Sequence, residues 1–211
     1  MTIDLDGLGG PFDTVFDVGG NVGDFAQAAV EAWPQATVVS FEPIPWLADE
    51  SRRKAGVRWQ VIQVAISRQA GVATLNVCVN QNSASTLQQP GPVREQLGII
   101  DEWKQLEVNT EPLDFHLADD LGRLLVKVDV EGHEADVLAG ASRVLKAAAT
   151  VVVEVQNDPN VFLGSPSPAD VHTVLSAAGL QWMGLVDSFA VLDMGRGRVE
   201  VLQFDGLWTR P

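Results

Sequence analysis

Two short segments of this 211-residue chain hold residue types that can do chemistry at spacings that bring them together. One is Val126-Lys127-Val128-Asp129-Val130-Glu131-Gly132-His133-Glu134. Asp129, Glu131, His133 and Glu134 crowd a single turn between an apolar run and a helical stretch. A histidine in that setting can serve as a general base: its unperturbed pKa is about 6.5, and neighbouring carboxylates are expected to raise it toward operating pH. Positioned proton transfer of this kind contributes roughly 10²–10⁴ in rate. His133 is therefore the expected base, with Asp129 and Glu131 as the carboxylates that could replace it. Asp129, at a strand tip, is also expected to touch ligand. Glu134 reads as a first-turn acid favoured by the helix dipole. Asp, Glu and His donors would suit Mg²⁺ or Mn²⁺, but the spacing matches no specific metal motif, and no metal is expected.

The other segment is Phe16-Asp17-Val18-Gly19-Gly20-Asn21-Val22-Gly23-Asp24-Phe25. An apolar run ends in a glycine-rich turn, and an amphipathic stretch follows with Phe25, Ala28, Ala29 and Ala32 at helical spacing. Strand, glycine turn and helix open a nucleotide-binding α/β sheet, in which glycine lets the backbone approach a ligand closely. A second apolar run, Val38-Val39-Ser40-Phe41, ends on Glu42, where an acid can accept hydrogen bonds from both ribose hydroxyls. The dinucleotide pattern G-x-G-x-x-G fails from Gly19, at Asn21 and Asp24, and fails again from Gly20. Asp17 and Asp24 flank the turn and would repel a pyrophosphate, which needs a positive helix terminus. They suit a ligand with a cationic end, such as the ammonium and sulfonium of S-adenosylmethionine. An NAD-dependent oxidoreductase is the disfavoured alternative. A non-catalytic protein binding S-adenosylmethionine or another nucleoside is a further one, against which the Asp129–Glu134 acids argue.

The elements that must position these residues follow from periodicity and turn signals. Strands are expected near Thr14–Val18, Ala36–Phe41, Val57–Ile66, Val72–Val79, Leu106–Thr110, Leu124–Val128, Ala149–Val155, Leu180–Val186, Ser188–Leu192 and Glu200–Trp208. Helices are expected near Val22–Trp33, Trp46–Lys54, Pro112–Leu121, Ala135–Lys146 and from Ser167 or Pro168 to Ala178, which Gly179 ends. Helices alternate with strands early and the end is strand-rich. This predicts an α/β fold with a mostly parallel sheet, helices on both faces and an antiparallel hairpin at one edge. Residues 80–105 lack periodicity and are expected to order over bound ligands. His116 and His172 are expected on the surface or half-buried.

An apolar content of 46% suits one domain over residues 1–211, able to bury roughly 70% of its unfolded surface. The net charge is −14, and only Arg52-Arg53-Lys54 cluster among the basic residues. Nucleic-acid affinity depends on phosphate neutralisation by Lys and Arg, so nucleic acid and anionic membranes are not expected partners. No basic leader precedes an apolar run, and no apolar run approaches the roughly 18 residues of a membrane span. The lone Cys78 reads as a small core hydrophobe. A cytoplasmic location is expected.

With both segments in hand, the chain resembles the FkbM family of S-adenosylmethionine-dependent methyltransferases, from about Asp13 to Arg210. Asp17–Phe25 is similar to the family's first motif, and Phe41-Glu42-Pro43 to its acidic ribose-binding strand end. Val64-Ala65-Ile66-Ser67 resembles the segment that closes over adenine, and Ser83-Ala84-Ser85-Thr86-Leu87 the small-residue loop. Lys127–Glu134, followed by Val137-Leu138 and Gly140-Ala141, resembles the signature helix entry, and Phe204–Trp208 the closing antiparallel strand. The resemblance implies a Rossmann-like class I methyltransferase with a seven-stranded doubly wound sheet. It also implies O-methylation of a small natural product or sugar, with S-adenosylmethionine as cofactor. Asp17, Gly19, Asn21, Gly23, Asp24 and Phe25 would hold the methionine half and Glu42 the ribose. Pro43 would shape the turn, Ala65 and Ile66 would meet the adenine, and Ser83 and Asp129 would complete the site. Trp46 would stack near adenine or make an apolar helix contact. Family members often carry further N-terminal residues that cover the substrate. Here the cover is expected from residues 80–105, from a partner subunit, or not at all, which leaves room for a homo-oligomer.

Overall fold

Strands buried at every position must be covered on both faces. Thr14–Val18 (β1), Leu124–Val128 (β8) and Thr150–Gln156 (β9) meet this requirement, being buried throughout. The computed structural model describes residues 5–79, 85–92, 102–158, 160–193 and 199–211, except the side chains of 188–193 and 199–202. Ser83 and most of the 80–105 stretch lie outside the described residues.

The remaining elements are α1 (Asp24–Ala32), β2 (Thr37–Phe41), α2 (Pro45–Lys54), β3 (Trp59–Ile62), β4 (Ala65–Ile66), β5 (Gly71–Cys78), β6 (Gln89–Pro90), β7 (Trp103–Glu111), α3 (Glu134–Ala139), α4 (Ser142–Ala147), β10 (Phe162–Leu163), α5 (Pro168–Ala177), β11 (Gln181–Asp193) and β12 (Val199–Thr209). The main sheet has seven strands in the order β11-β12-β9-β8-β1-β2-β3. The stretch from β9 to β3 is parallel, and β12 and β11 close it as an antiparallel hairpin. This is the Rossmann-like fold expected of the class. Alternation across β1 and β8 splits the core. Phe16 and Val126 face Leu138, Leu145 and Leu175 of α3, α4 and α5. Val15 and Leu125 face Ala26 and Ala29 of α1. Each fully buried Val, Leu or Phe stabilises by about 1.5–3 kcal/mol. A smaller sheet, β4-β7-β5, packs Ala65, Leu75 and Val108 against Ile44 and Leu47 at the start of α2. Cys78 is buried, as expected.

Four expected elements differ. Val57–Ile66 is not one strand: Val57 is fully exposed, and the chain turns where Val64 N donates to Ile62 O. β3 therefore ends in the main sheet and β4 begins in the smaller one. Ala135–Lys146 is two helices, because the chain bends at Gly140 against the Ser67 backbone. The Asp114 carboxylate then caps α4, accepting from Arg143 N and Val144 N at 2.9 Å. Pro112–Leu121 holds only a 3₁₀ turn, Leu113–His116. The strands expected at Leu180–Val186 and Ser188–Leu192 are one, β11 (Gln181–Asp193), whose two irregularities, at Trp182/Gly184 and Leu185/Asp187, replace the expected break. In addition, β7 starts at Trp103, inside the stretch without sequence periodicity. Ser167 and Pro168 do open α5, through a reciprocal capping box with Asp170. No helix among the described residues is long and apolar enough to cross a membrane.

Candidate active site

The glycine turn is held by hydrogen bonds from its backbone N–H groups to Phe41 and Glu42. Gly19 has φ +83°, and a Cβ there would lie 1.8 Å from Asp129 O, so the β1 and β8 ends can close only on glycine. Gly19 N and Gly20 N both donate to Phe41 O, at 3.0 and 3.1 Å. Asn21, at φ 48°, donates its backbone N–H to Glu42 Oε2 at 2.8 Å, and Ile44 N donates to Glu42 Oε1 at 2.8 Å. Glu42 thus ties the turn to the β2 tip. Each of its oxygens keeps a further lone pair for a ligand. Burial pushes its pKa up to about 7, against the pull of the two N–H groups.

The sheet registers place four acids in one row. Val18 pairs with Phe41 and Val128, and Val128 pairs with Val153. The next residues along are Gly19, Glu42, Asp129 and Glu154, and Glu154 pairs with Asp205 on β12. Two rows back, level with Asp17, Lys127 is buried with Nζ 2.8 Å from Asp129 Oδ2 and 4.0 Å from Asp17 Oδ1. Burial alone would lower its pKa, but Asp129 and Asp17 outweigh that and hold it above the usual lysine range. Glu154 is buried too. It accepts from Gln203 Nε2 at 2.9 Å and Gln156 Nε2 at 3.3 Å. Burial and then the nearby acids lift its pKa well above the ordinary value.

A cavity of about 770 Å³ opens over this row. Of the expected residues, Gly19, Asn21, Asp24, Phe25, Glu42, Pro43, Ala65, Ile66, Asp129, Glu131 and His133 line it. Asp17 and Gly23 do not. The Asp17 carboxylate is fully buried beneath the turn, accepting from Ser40 Oγ at 3.1 Å, and burial raises its pKa. It supports the turn and Lys127 from below rather than facing a ligand. Gly23 lies against Trp59 and Ser51. Trp46 is half exposed and borders a separate shallow pocket with Val77 and Cys78. Asp24 is paired with Lys54 at 2.8 Å. Glu134 is more than a first-turn acid: fully buried, it accepts from Gly132 N at 3.0 Å and shapes the Glu131-Gly132 turn.

His133 departs most from expectation. Its Nε2 is 3.0 Å from Ser67 Oγ, and its Nδ1 is 3.1 Å from Gln88 Nε2 and 3.4 Å from Asp136 Oδ2. Both ring nitrogens have partners. Burial lowers its pKa, with Asp136 opposing and Arg68 reinforcing the shift. The expected upward shift is absent because Asp129 and Glu131 are not its dominant neighbours. Carboxylate oxygens of Asp129, Glu131 and Glu154 instead lie within 4.8 Å of one another. Such a group can take up a proton, face a cationic ligand, or hold a hard divalent ion.

Sequence reasoning missed Glu154, Lys127 and Gln203 as cavity residues. An acid within Val151-Val152-Val153-Glu154-Val155, and a lysine between two valines, were the available signals.

The family model described as Methyltransferase FkbM domain matches residues 17–181. "Methyltransferase 1" of Beauveria bassiana is 29% identical over 60% of this chain and 57% of its own length. "2-O-methyltransferase NoeI" of Sinorhizobium fredii is 27% identical over 73% of this chain and 67% of its own. The chain thus spans little more than half the length of the first of these relatives. Among solved structures, precorrin-6y C5,15-methyltransferase from Geobacter metallireducens superposes with a TM-score of 0.53 at 10% identity, covering 97% of this chain and 84% of that one.

Proposed function

Because the chain belongs to the FkbM methyltransferase domain family and S-adenosylmethionine is its methyl donor, we propose that it methylates a hydroxyl group of a small molecule, a natural product or a sugar. The observation that carries this reading is the convergence of Asp129, Glu131 and Glu154 in the wall of one cavity. A neutral alcohol is a poor nucleophile, and a nearby carboxylate can take its proton as the new bond forms. The name of the NoeI relative points the same way.

The cavity residues fit the donor. The Gly19–Asp24 backbone, with Phe25, would hold the methionine half, Glu42 the ribose hydroxyls, and Ala65 and Ile66 the adenine, with Pro43 shaping the turn between them. The acids of the row match a positive sulfonium and ammonium. Bound there, the donor supplies an electrophilic methyl group for in-line displacement. Asp129 would be held by Lys127 at the boundary between donor and acceptor. Glu131 and Glu154 would orient the acceptor hydroxyl and receive its proton. Holding the oxygen near the methyl carbon supplies much of the remaining acceleration. The net charge of −14 disfavours nucleic acid as the acceptor.

The test is S-adenosylhomocysteine formation from S-adenosylmethionine with methyl glycosides, catechols and primary amines supplied separately. Turnover of a hydroxyl acceptor to an O-methyl product, identified by mass and NMR, is the expected result. Methylation confined to the amines would overturn the reading.

A further inference from the structure

Residues 85–91 form a strap along the cavity, with Ser85 and Leu87 among its lining residues. The strap is tied down on two sides. Asn76 and Thr86 exchange backbone hydrogen bonds at 2.8 and 2.9 Å, and Asn76 Nδ2 donates to Gln88 O at 2.8 Å. Gln89–Pro90 pairs antiparallel with Phe162–Leu163, and Gly91 N donates to Val161 O at 2.9 Å. From the Asp129–Glu134 turn, the His133 side chain reaches the strap at Gln88, whose Nε2 lies 3.1 Å from Nδ1.

We propose that His133 is a positioning residue that latches the strap to the acidic turn, with Ser67 as its fixed backstop. This rests on taking the cavity as the methyl-transfer site. With the Gln88 amide nitrogen donating at 3.1 Å, Nδ1 accepts and the proton sits on Nε2, donated to Ser67 Oγ, while the Asp136 carboxylate stands farther off at 3.4 Å. Ser67 itself is fixed, because its N–H donates to Glu111 O at 2.9 Å and its carbonyl abuts Gly140. The imidazole thus spans two elements that are both anchored elsewhere. Its neutral form has one donor and one acceptor, and each is matched. A ring so engaged sets where Ser85 and Leu87 stand over the acids, and so sets the acceptor's space.

Hydrogen exchange on the full chain, without ligand, tests this. The amides of Thr86, Gln88 and Gly91 are hydrogen-bonded in the latched strap. His133→Ala and Gln88→Leu should each speed their exchange at least fivefold, and the double variant should be no faster than the faster single. His133→Gln offers a donor and an acceptor at similar spacing and should restore at least half of the lost protection. Exchange in β8 serves as the folding control. If His133→Ala does not fold, Gln88→Leu, on the half-buried strap, carries the comparison. A smaller acceleration in Gln88→Leu, or no rescue by His133→Gln, would overturn the latch. Calorimetric binding of S-adenosylhomocysteine to the parent is measured separately. Its failure would remove the donor-site reading while leaving the strap result intact.

Discussion

Lys127 and Asp129 leave β8 on the same face, and the lysine Nζ lies 2.8 Å from Asp129 Oδ2 at the floor of the cavity. It is also the one cation recorded beside the buried Asp17 among the described residues. Removing one partner of a buried pair typically costs about 3–5 kcal/mol, because the other charge is left uncompensated. Lys127→Met should lose stability in that range by denaturant unfolding, and adding Asp129→Asn should recover part of it. A loss below about 1 kcal/mol, the scale of a surface pair, would show that the acids do not need the lysine.

Glu42 combines two duties, holding Asn21 N and Ile44 N while facing the cavity. Hydrogen bonds to a charged acceptor contribute about 1.5–3 kcal/mol each. Glu42→Ala should therefore weaken S-adenosylhomocysteine binding at least tenfold by calorimetry. Unchanged affinity in a folded variant would detach Glu42 from the ribose.

Glu42, Glu134 and Asp205 are each pushed up to about 7, all chiefly by burial. Their folded pKa values lie above the unfolded ones. The folded state therefore holds more protons between roughly pH 4.5 and 7, and stability falls as pH rises through that window. The ligand-free protein should melt at a lower temperature at pH 8 than at pH 5.5. Asp205→Asn, which removes a carboxylate with neither oxygen hydrogen-bonded, should flatten the dependence. A melting temperature that rises steadily over this range would contradict the assigned shifts.

Proton removal is expected from the carboxylates. Glu154→Gln or Glu131→Gln should lower turnover of an acceptor by roughly 10²–10⁴, with S-adenosylhomocysteine affinity little changed. His133→Gln should keep kcat within a few-fold of the parent. EDTA treatment separates a further role of the same oxygens: activity lost to EDTA and restored by Mg²⁺ would mean that a metal activates the hydroxyl.

A Cβ on Gly140 would lie 2.1 Å from Ser67 O. Gly140→Ala should cost about 1–3 kcal/mol through overpacking. It should also speed exchange in the strap, since a shift of the Ser67 backbone would disturb its 3.0 Å contact with His133. Destabilisation without any effect at Thr86 or Gln88 would show that the two contacts are independent.

Local chemistry was the legible part. β1 and β8 ended where expected, at Val18 and Val128, because their apolar runs meet glycine and acid. The Gly19 turn and Glu42 tip were readable because short-range geometry dictates them. What escaped depends on partners far along the chain. His133 meets Ser67 and Gln88 across 66 and 45 residues, and no periodicity encodes those contacts. The helix break at Gly140 has its cause in the Ser67 and Asp114 segments. Glu154 and Gln203 enter the site through β9–β12 pairing, which a strand pattern alone does not register.

The acid row also bears on which form of the donor stays. Methyl transfer converts a sulfonium into a neutral thioether, so the spent molecule leaves with one positive charge fewer than it brought. Glu42, Asp129 and Glu154 line a cavity in which Lys127 is the only lysine or arginine of the wall among the described residues. Such a wall attracts the charged donor more than the discharged product. The fold therefore builds exchange of spent donor for fresh into its electrostatics, and added salt should narrow that preference.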